Sequence, residues 1–187
     1  MPSLLKCMDC GREDALDARL ITCPVCGGLL DVVHDLDVLR PVVSHDLFDR
    51  RLASWDPLDR SGVWRYRELI RPDVRAEQVV TRGEGNTTLY PAGKRLADYA
   101  GVARLSLKHE GENPTGSFKD RGMTGGVTQA RIVGARSVIC ASTGNTSASM
   151  ASYAALAGLQ ALVFFLVGYV ALGKVAQSLA YGATSVQ

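Results

Sequence analysis

The spacing of apolar and polar residues changes several times along the chain, and each change predicts a new element. Polar and apolar residues alternate over residues 104–108, which is typical of a strand with one buried face. From Ser117 to about Gly134 the pattern is helical, and Ser117 with Asp120 three positions later matches the start of a helix. A short apolar run over residues 136–141 then predicts a buried strand.

The last third of the chain repeats this order of strand and helix. The pattern predicts an alanine-rich helix up to about Gly158, a buried strand over residues 160–166, and a helix over residues 171–183. Continuous apolar strands are typical of a parallel sheet that is covered on both faces. The sequence therefore predicts an α/β fold, with an open, mostly parallel sheet and flanking helices.

One apolar stretch is long enough to span a bilayer. Residues 153–173 carry no charge, and only Gln160 among them is strongly polar. However, Gly158, Gly168 and Gly173 interrupt the stretch, which divides into the end of a helix, a buried strand and a second helix. We therefore interpret it as part of the covered sheet and expect no membrane association.

Composition narrows the class of protein without identifying it. The chain has 187 residues, a hydrophobic share of 47% and a formal net charge of only +2, with few aromatic residues. These values give no electrostatic or stacking surface for nucleic acid. The first residues lack the long apolar core of a secretion signal, so we expect a reducing, cytoplasmic setting.

Two pairs of cysteines stand near the start of the chain, each with two residues between its members. They are Cys7 with Cys10 and Cys23 with Cys26, and glycine follows each pair, which lets the backbone turn its amides toward the thiolates. Four thiolates at this spacing predict a structural, tetrahedral Zn²⁺ in a zinc-ribbon-like β module over residues 1–33. The alternative is a ribbon that holds free thiols.

Two loops carry short polar side chains that suit an anion. Residues 84–89 join a glycine to amide and hydroxyl groups, among them Thr87 and Thr88. Residues 142–147 form a Ser-Thr-Gly-Asn-Thr-Ser turn between a predicted strand and a predicted helix, where unpaired amides and hydroxyls converge. The alternatives are an ordinary polar turn for the first loop and a simple helix cap for the second.

Lys119 falls in the first turn of a predicted helix, where the positive end of the helix dipole disfavours a cation. One explanation is that its amine is neutral or covalently engaged, as in enzymes with a nucleophilic lysine. The alternative, taking this residue alone, is a solvated helix lysine.

The string Asn-Pro-Thr-Gly-Ser-Phe-Lys-Asp-Arg-Gly over residues 113–122 resembles the pyridoxal-phosphate lysine motif of the tryptophan-synthase-β-like, fold type II family. The resemblance implies that Lys119 binds pyridoxal 5'-phosphate covalently and later acts as the base. It further implies that Phe118 packs on the cofactor ring, with a core position as the alternative, and that Asn145 hydrogen-bonds the ring hydroxyl. The substrate-binding residues implied in this way are Thr87, Thr88, Ser117, Ser142, Thr143, Thr146 and Ser147.

Within that family the string is most similar to that of the threonine synthases, many of which also carry a zinc ribbon. The resemblance implies a lyase that converts O-phosphohomoserine and water to threonine and phosphate, and that forms a homodimer when complete. The alternatives are a serine/threonine dehydratase or β-replacement enzyme on the same scaffold, and a non-catalytic zinc-ribbon protein.

The chain departs from the family pattern in ways that bear on activity. Thr88 replaces a proline, and residues 166–169 replace a proline-glycine-basic turn. In the family, the loop that holds the cofactor phosphate follows the part that resembles this chain, so we expect the chain alone to be inactive or to depend on a partner. We predict a connecting segment over residues 34–94 and an α/β cofactor-lysine domain over residues 95–187, with the second half of the enzyme absent. His34 and His45 are interpreted as structural.

Overall fold

Three separate sheets organise the part of the chain that the computed structural model describes, which is residues 3–142, 144–165 and 172–186. The first sheet is antiparallel with the order β2-β1-β3, the second is an antiparallel pair of β4 and β5, and the third is parallel with the order β6-β7-β8. The strands are β1 (Ser3–Cys7), β2 (Glu13–Asp14), β3 (Leu30–His34), β4 (Leu89–Pro91), β5 (Ser106–Lys108), β6 (Ser137–Ala141), β7 (Gln160–Phe164) and β8 (Thr184–Val186).

The first sheet forms a small module with few apolar side chains inside it. Its two tight turns place Gly11 and Gly27 at φ of 73° and 76°, a conformation that glycine adopts without steric cost. The far end of the sheet is closed by a hydrogen bond of 2.6 Å between Ser3 Oγ and His34 Nδ1, which agrees with a structural role for this histidine.

Short helices and turns connect this module to the rest of the chain. Arg51 pairs with Glu68, and Arg67 pairs with Asp59, so ion pairs join these helices to one another. Trp64 is buried and donates a hydrogen bond of 2.6 Å from Nε1 to a threonine hydroxyl further along the chain. The helices are α1 (Leu36–Leu39), α2 (His45–Leu52), α3 (Pro57–Arg60) and α4 (Arg67–Ile70), with 3-10 turns at Trp64–Tyr66, Ala76–Gln78 and Glu110–Glu112.

Longer helices cover the parallel sheet. Helix α7 is buried along most of its length because its small side chains let it pack closely on α6 and on the strands. The helices are α5 (Lys94–Tyr99), α6 (Lys119–Ile132), α7 (Asn145–Ala157) and α8 (Leu172–Ala180). The main apolar cluster consists of Met150, Ala151, Ala154, Ala161, Val163, Phe165 and Ala183. The predicted α/β fold with parallel strands and flanking helices is confirmed.

Two local predictions need correction. The alternating run at residues 104–108 does form a strand, but β5 covers only Ser106–Lys108, and it pairs antiparallel with β4. Helix α6 begins at Lys119 rather than directly after Ser117, because Thr115, Gly116 and Ser117 form a turn. Asp120 does not reach back to cap this helix, since its carboxylate points into the interior.

The apolar stretch at residues 153–173 contains no membrane span in its described part. It supplies the end of α7, the strand β7 and the start of α8. Among the described residues, the structure has no helix that is long and apolar enough to cross a membrane. The altered turn at residues 166–169 and the predicted start of the last helix at Ala171 lie outside the described residues.

Candidate functional site

The four paired cysteines meet at one end of the first sheet. The Sγ atoms of Cys7, Cys10, Cys23 and Cys26 all lie within 4.8 Å of one another, with 3.4 Å between Cys7 and Cys26 and 3.6 Å between Cys10 and Cys23. A tetrahedral Zn²⁺ with Zn–S bonds of about 2.3 Å requires sulfur separations of about 3.8 Å, close to these distances. The cluster is therefore the right size and composition to hold this ion.

Backbone amides and neighbouring thiols together give the four cysteines different pKa values. The N–H groups of Cys26 and Val25 lower the pKa of Cys23 to about 6. The N–H of Gly28 also favours the thiolate of Cys26, but the neighbouring thiols of Cys7 and Cys10 outweigh it and raise the pKa of Cys26 to about 12. Four thiol groups this close cannot all ionise without a cation, because like charges repel at short range.

Lys119 is half-buried and is the first residue of α6, so it lies in the first turn of a helix, as the sequence predicts. Its backbone N–H donates to the buried Ser117 Oγ at 3.2 Å. The amine of Lys119 lies 4.7 Å from the centroid of the Phe118 ring, which is 55% exposed. Phe118 is therefore not a core residue, and its ring lies beside the lysine amine on an accessible surface.

Asp120 connects this turn to the neighbouring helix. Its carboxylate is fully buried and accepts hydrogen bonds from the N–H of Thr115 at 2.7 Å and from Thr115 Oγ1 at 2.6 Å. It also accepts a short hydrogen bond from Ser149 Oγ, which lies one turn after Asn145 in α7. The first turns of α6 and α7 are thus held side by side.

The turn at residues 142–147 lies at the carboxyl end of the parallel sheet. Ser142 N–H donates to the carbonyl of Phe164 at the end of β7, and Ser142 Oγ accepts from the N–H of Gly144. Ser147 is buried and donates to the Gly144 carbonyl at 2.8 Å, whereas Asn145 is exposed and Thr146 is half-buried. Thr143, a predicted substrate residue, lies outside the described residues.

Helix α8 also begins near the turn that precedes Lys119. Lys174 Nζ and Gln177 Nε2, both on α8, donate to the carbonyl of Thr115 at 3.2 and 3.4 Å. Helices α7 and α8 follow strands β6 and β7, so they start at the carboxyl edge of the parallel sheet, and the lysine turn with the start of α6 contacts both of them. Ligands bind at this edge in open α/β folds, and helix starts favour an anionic ligand.

The loop at residues 84–88 is tied to the residues that precede the lysine turn. Gly85 N–H donates to Asn113 Oδ1 at 2.9 Å, and Thr88 N–H donates to Glu112 Oε2 at 2.6 Å. Thr87 is buried, and its hydroxyl donates to Glu110 Oε1 at 2.8 Å. The hydroxyl predicted to face the substrate thus already has a partner within the protein, while Thr88 is exposed.

Arg121 joins this loop to α6. Its guanidinium bonds both carboxylate oxygens of Glu110, at 2.8 and 2.9 Å, and reaches Thr87 Oγ1 at 3.3 Å. The hydrogen bonds from Arg121, together with those from Thr87 and Asn113, lower the pKa of Glu110 to about 2. Arg121, two residues after Lys119, therefore connects α6 to the loop through its ion pair with Glu110 and its contact with Thr87.

Glu84 anchors the same loop from inside. It is fully buried and accepts hydrogen bonds from Ser61 Oγ at 2.5 Å, Thr81 Oγ1 at 2.9 Å and Tyr153 Oη at 2.7 Å. Burial, followed by the charge of Glu84, raises the pKa of Tyr153 well above its ordinary value. Beside it, Gly62 packs so closely on Gly85 that an added Cβ would lie 2.6 Å from the Gly85 Cα.

The structure thus brings the predicted loops to the lysine turn through residues to which the sequence assigned no such contacts. These residues are Glu84, Glu110, Thr115, Asp120, Arg121, Ser149 and Tyr153. Only Asp120 carried a local signal, its spacing from Ser117, and that signal predicted a different role. The contacts of Tyr153 with Glu84 and of Ser149 with Asp120 join residues that lie far apart in sequence.

Comparison with known proteins defines the class to which this fold and site belong. The family model of the pyridoxal-phosphate dependent enzymes matches residues 80–187, and the chain belongs to this family.

Within the family, the similar curated proteins are threonine synthases. The chain is 46% identical over 179 residues to that of Methanosarcina acetivorans, covering 96% of this chain and 41% of that protein. It is 44% identical over 184 residues to that of Methanocaldococcus jannaschii, covering 98% of this chain and 43% of that protein. For the threonine synthase of Synechocystis the identity is 51% over 130 residues, covering 66% of this chain and 34% of that protein. The chain therefore spans about two fifths of the length of the first two relatives.

The residues around Lys119 fit the cofactor that the family implies. A half-buried amine at a helix start, an accessible aromatic ring beside it, and a Gly/Ser/Asn turn on the adjacent helix are groups suited to an aldehyde, a flat ring and a ring hydroxyl.

Proposed function

We propose that the chain carries the lysine-bearing part of a threonine synthase, which converts O-phosphohomoserine and water to threonine and phosphate. The observation that carries this proposal is the identity of 46% and 44% to threonine synthases over nearly the whole chain. The convergence of three helix starts beside Lys119 supports it, since such a surface suits an anionic substrate.

In this proposal Lys119 holds pyridoxal phosphate and afterwards acts as the general base. The cofactor, when bound, supplies the electron sink for a carbanion at the substrate α-carbon. The freed amine of Lys119 takes the α-proton at Nζ, which requires a neutral lysine. Phe118 orients the cofactor ring, and Asn145 donates to its hydroxyl. The proposed substrate contacts are Thr87, Thr88, Ser117, Ser142, Thr143, Thr146 and Ser147.

We further propose that the four cysteines hold a structural Zn²⁺. The sulfur separations of 3.4 and 3.6 Å support this, because they are much longer than a disulfide bond of about 2.05 Å. Four thiolate ligands leave no open position on the ion, so the site would stabilise the module rather than take part in catalysis. We also propose a cytoplasmic setting, because thiolate ligands persist in reducing compartments.

Covalent trapping tests the assignment of Lys119. The amine condenses with the cofactor aldehyde with loss of one water, and borohydride then adds a hydride while solvent adds a proton, which leaves a stable secondary amine. Peptide mapping is expected to find this label on Lys119 well above the level on Lys94, whose side chain is 85% exposed on α5. Equal labelling of the two lysines would contradict the proposal and favour a non-catalytic protein.

Substrate assays test the reaction itself. Phosphate and threonine released from O-phosphohomoserine would support a threonine synthase, whereas ammonia released from serine or threonine would indicate a dehydratase. We also propose that the protein forms a homodimer, which light scattering of the zinc-loaded chain tests. The proposed domain boundaries after residues 33 and 94 are tested by limited proteolysis.

A further inference from the structure

Asp120 has a buried carboxyl group in an unusual position, in the residue directly after the proposed cofactor lysine. Its side chain is fully buried, and within the part of the chain that the structure describes it has no ion-pair partner. Three hydrogen bonds stabilise it instead, two from Thr115 and one from Ser149. Burying a carboxylate is costly, and apolar groups of similar volume often replace such groups without loss of stability. A gain in stability is therefore a weak explanation for this group.

The three hydrogen bonds have a common geometric effect. Thr115 belongs to the turn before Lys119, and Ser149 lies four residues after Asn145, on the same face of α7. A single carboxylate thus joins the turn, the first turn of α6 and the start of α7. On the other side of the turn, the Thr115 carbonyl accepts from Lys174 and Gln177 of α8, so the position of Thr115 also affects the third helix start.

We propose that Asp120 is a positioning residue that acts through Ser149 to fix the spacing between the amine of Lys119 and Asn145 at the start of α7. This inference rests on the proposed function, because it gives the spacing a purpose only if Lys119 binds pyridoxal phosphate. Consecutive residues of a helix point in directions about 100° apart. Asp120 can therefore hold the backbone from the inside while the Lys119 side chain stays on the accessible side.

Two buried serines of α7 provide a matched test. Ser149 donates to Asp120, whereas Ser152 contacts Arg82 and is also buried. The full chain, its Ser149→Ala variant and its Ser152→Ala variant are each mixed with pyridoxal phosphate, reduced with borohydride and mapped. The measured quantity is the ratio of label on Lys119 to label on Lys94, with the melting temperature of each variant recorded beside it.

Ser149→Ala is expected to lower this ratio about tenfold, since misplacement by about 1 Å can cost a hundredfold in a reaction. Ser152→Ala is expected to leave the ratio unchanged even if it lowers the melting temperature by a similar amount. Asp120→Asn should lower the ratio in the wild-type background but add little to Ser149→Ala, because two residues of one network are not additive.

The outcomes separate this inference from the proposed function. If the wild-type chain itself shows no preference for Lys119, the proposed function fails and this inference fails with it. If the wild-type preference is present but Ser149→Ala retains it, the positioning role is overturned while the function stands. An equal loss in both serine variants, in step with their melting temperatures, would also overturn it, because a general structural effect would then suffice.

Discussion

The four-cysteine module and the lysine region are assembled in opposite ways. In the module, four clustered cysteines come from two short sequence motifs, and the sheet around them buries little apolar surface, with Val32 and Val33 partly exposed. In the lysine region, the helices pack on an apolar cluster, and each functional loop is held by partners tens of residues away. We therefore expect the stability of the cysteine module to depend on a bound ion. The stability of the lysine region should depend on its buried hydrogen bonds.

The largest expected effect is the loss of metal from the module. Cys23→Ser is expected to reduce bound zinc from about one ion per chain to none and to unfold residues 3–34, because structural zinc supplies about 10 kcal/mol or more to such small modules. Zinc release by a chromogenic chelator and hydrogen exchange of strands β1 and β3 measure this.

Cys140→Ser is the control for that experiment, because Cys140 lies apart from the cluster in β6. It should leave the zinc content unchanged. Protected amides in β1 and β3 after zinc removal would show that the module does not need its ligand.

The next effect falls on the lysine region alone. Glu84→Ala is expected to lower the free energy of unfolding by about 3 kcal/mol, because Ser61 and Tyr153 would be left buried with unsatisfied hydroxyls. Chemical denaturation followed by the fluorescence of Trp64 measures it, and zinc content should not change. The control is Glu77→Ala, since Glu77 is 69% exposed and should lie within about 0.5 kcal/mol of wild type.

A smaller effect of opposite sign is expected where α6 faces the module. Gly125→Ala should stabilise the chain by about 1 kcal/mol, because the added Cβ has no other atom within 4 Å and alanine favours a helix. Gly134→Ala, at a φ of 68° just after the same helix, should destabilise by a similar amount. Thermal melts of both variants test this pair, and a loss of stability in the first would show that the space beside Gly125 is needed.

The smallest expected effect is a change in acid stability. The folded pKa of Glu110, about 2, lies below its ordinary value of 4.5, so its ion pair with Arg121 stabilises the fold above pH 4.5 and is lost as the pH falls toward 2. Glu110→Gln should lower stability at pH 7 by less than about 1 kcal/mol, since the pair is partly exposed. It should also reduce the pH dependence below 4.5.

Denaturation midpoints at pH 7 and pH 3 measure this effect. Glu13→Gln, which removes the exposed ion pair with Lys6 in the module, serves as the reference. An unaltered pH profile in the Glu110 variant would contradict the role of this carboxylate.

The same contrast explains how far the sequence alone could lead. The cysteine cluster was predictable because two cysteine pairs with this spacing are typical of four-sulfur metal sites. The order of strands and helices in the last third was predictable because its apolar runs are long. The buried partners of Glu84 and Asp120 were not, since no local pattern shows that Tyr153 or Ser149 will fold against them. The strand at β5 was predictable from its alternation, but its partner β4 was not, because alternation does not specify which strand it pairs with.

The close packing of Gly62 on Gly85 has a practical consequence for protein engineering. An added Cβ at Gly62 would lie 2.3 Å from the backbone nitrogen of Asn86, so any larger residue there displaces the whole loop rather than one side chain. A mutant library aimed at new substrates should therefore keep both glycines and diversify Thr88, whose side chain is exposed. In chimaeric proteins made by recombining relatives, both glycines should likewise come from the same parent.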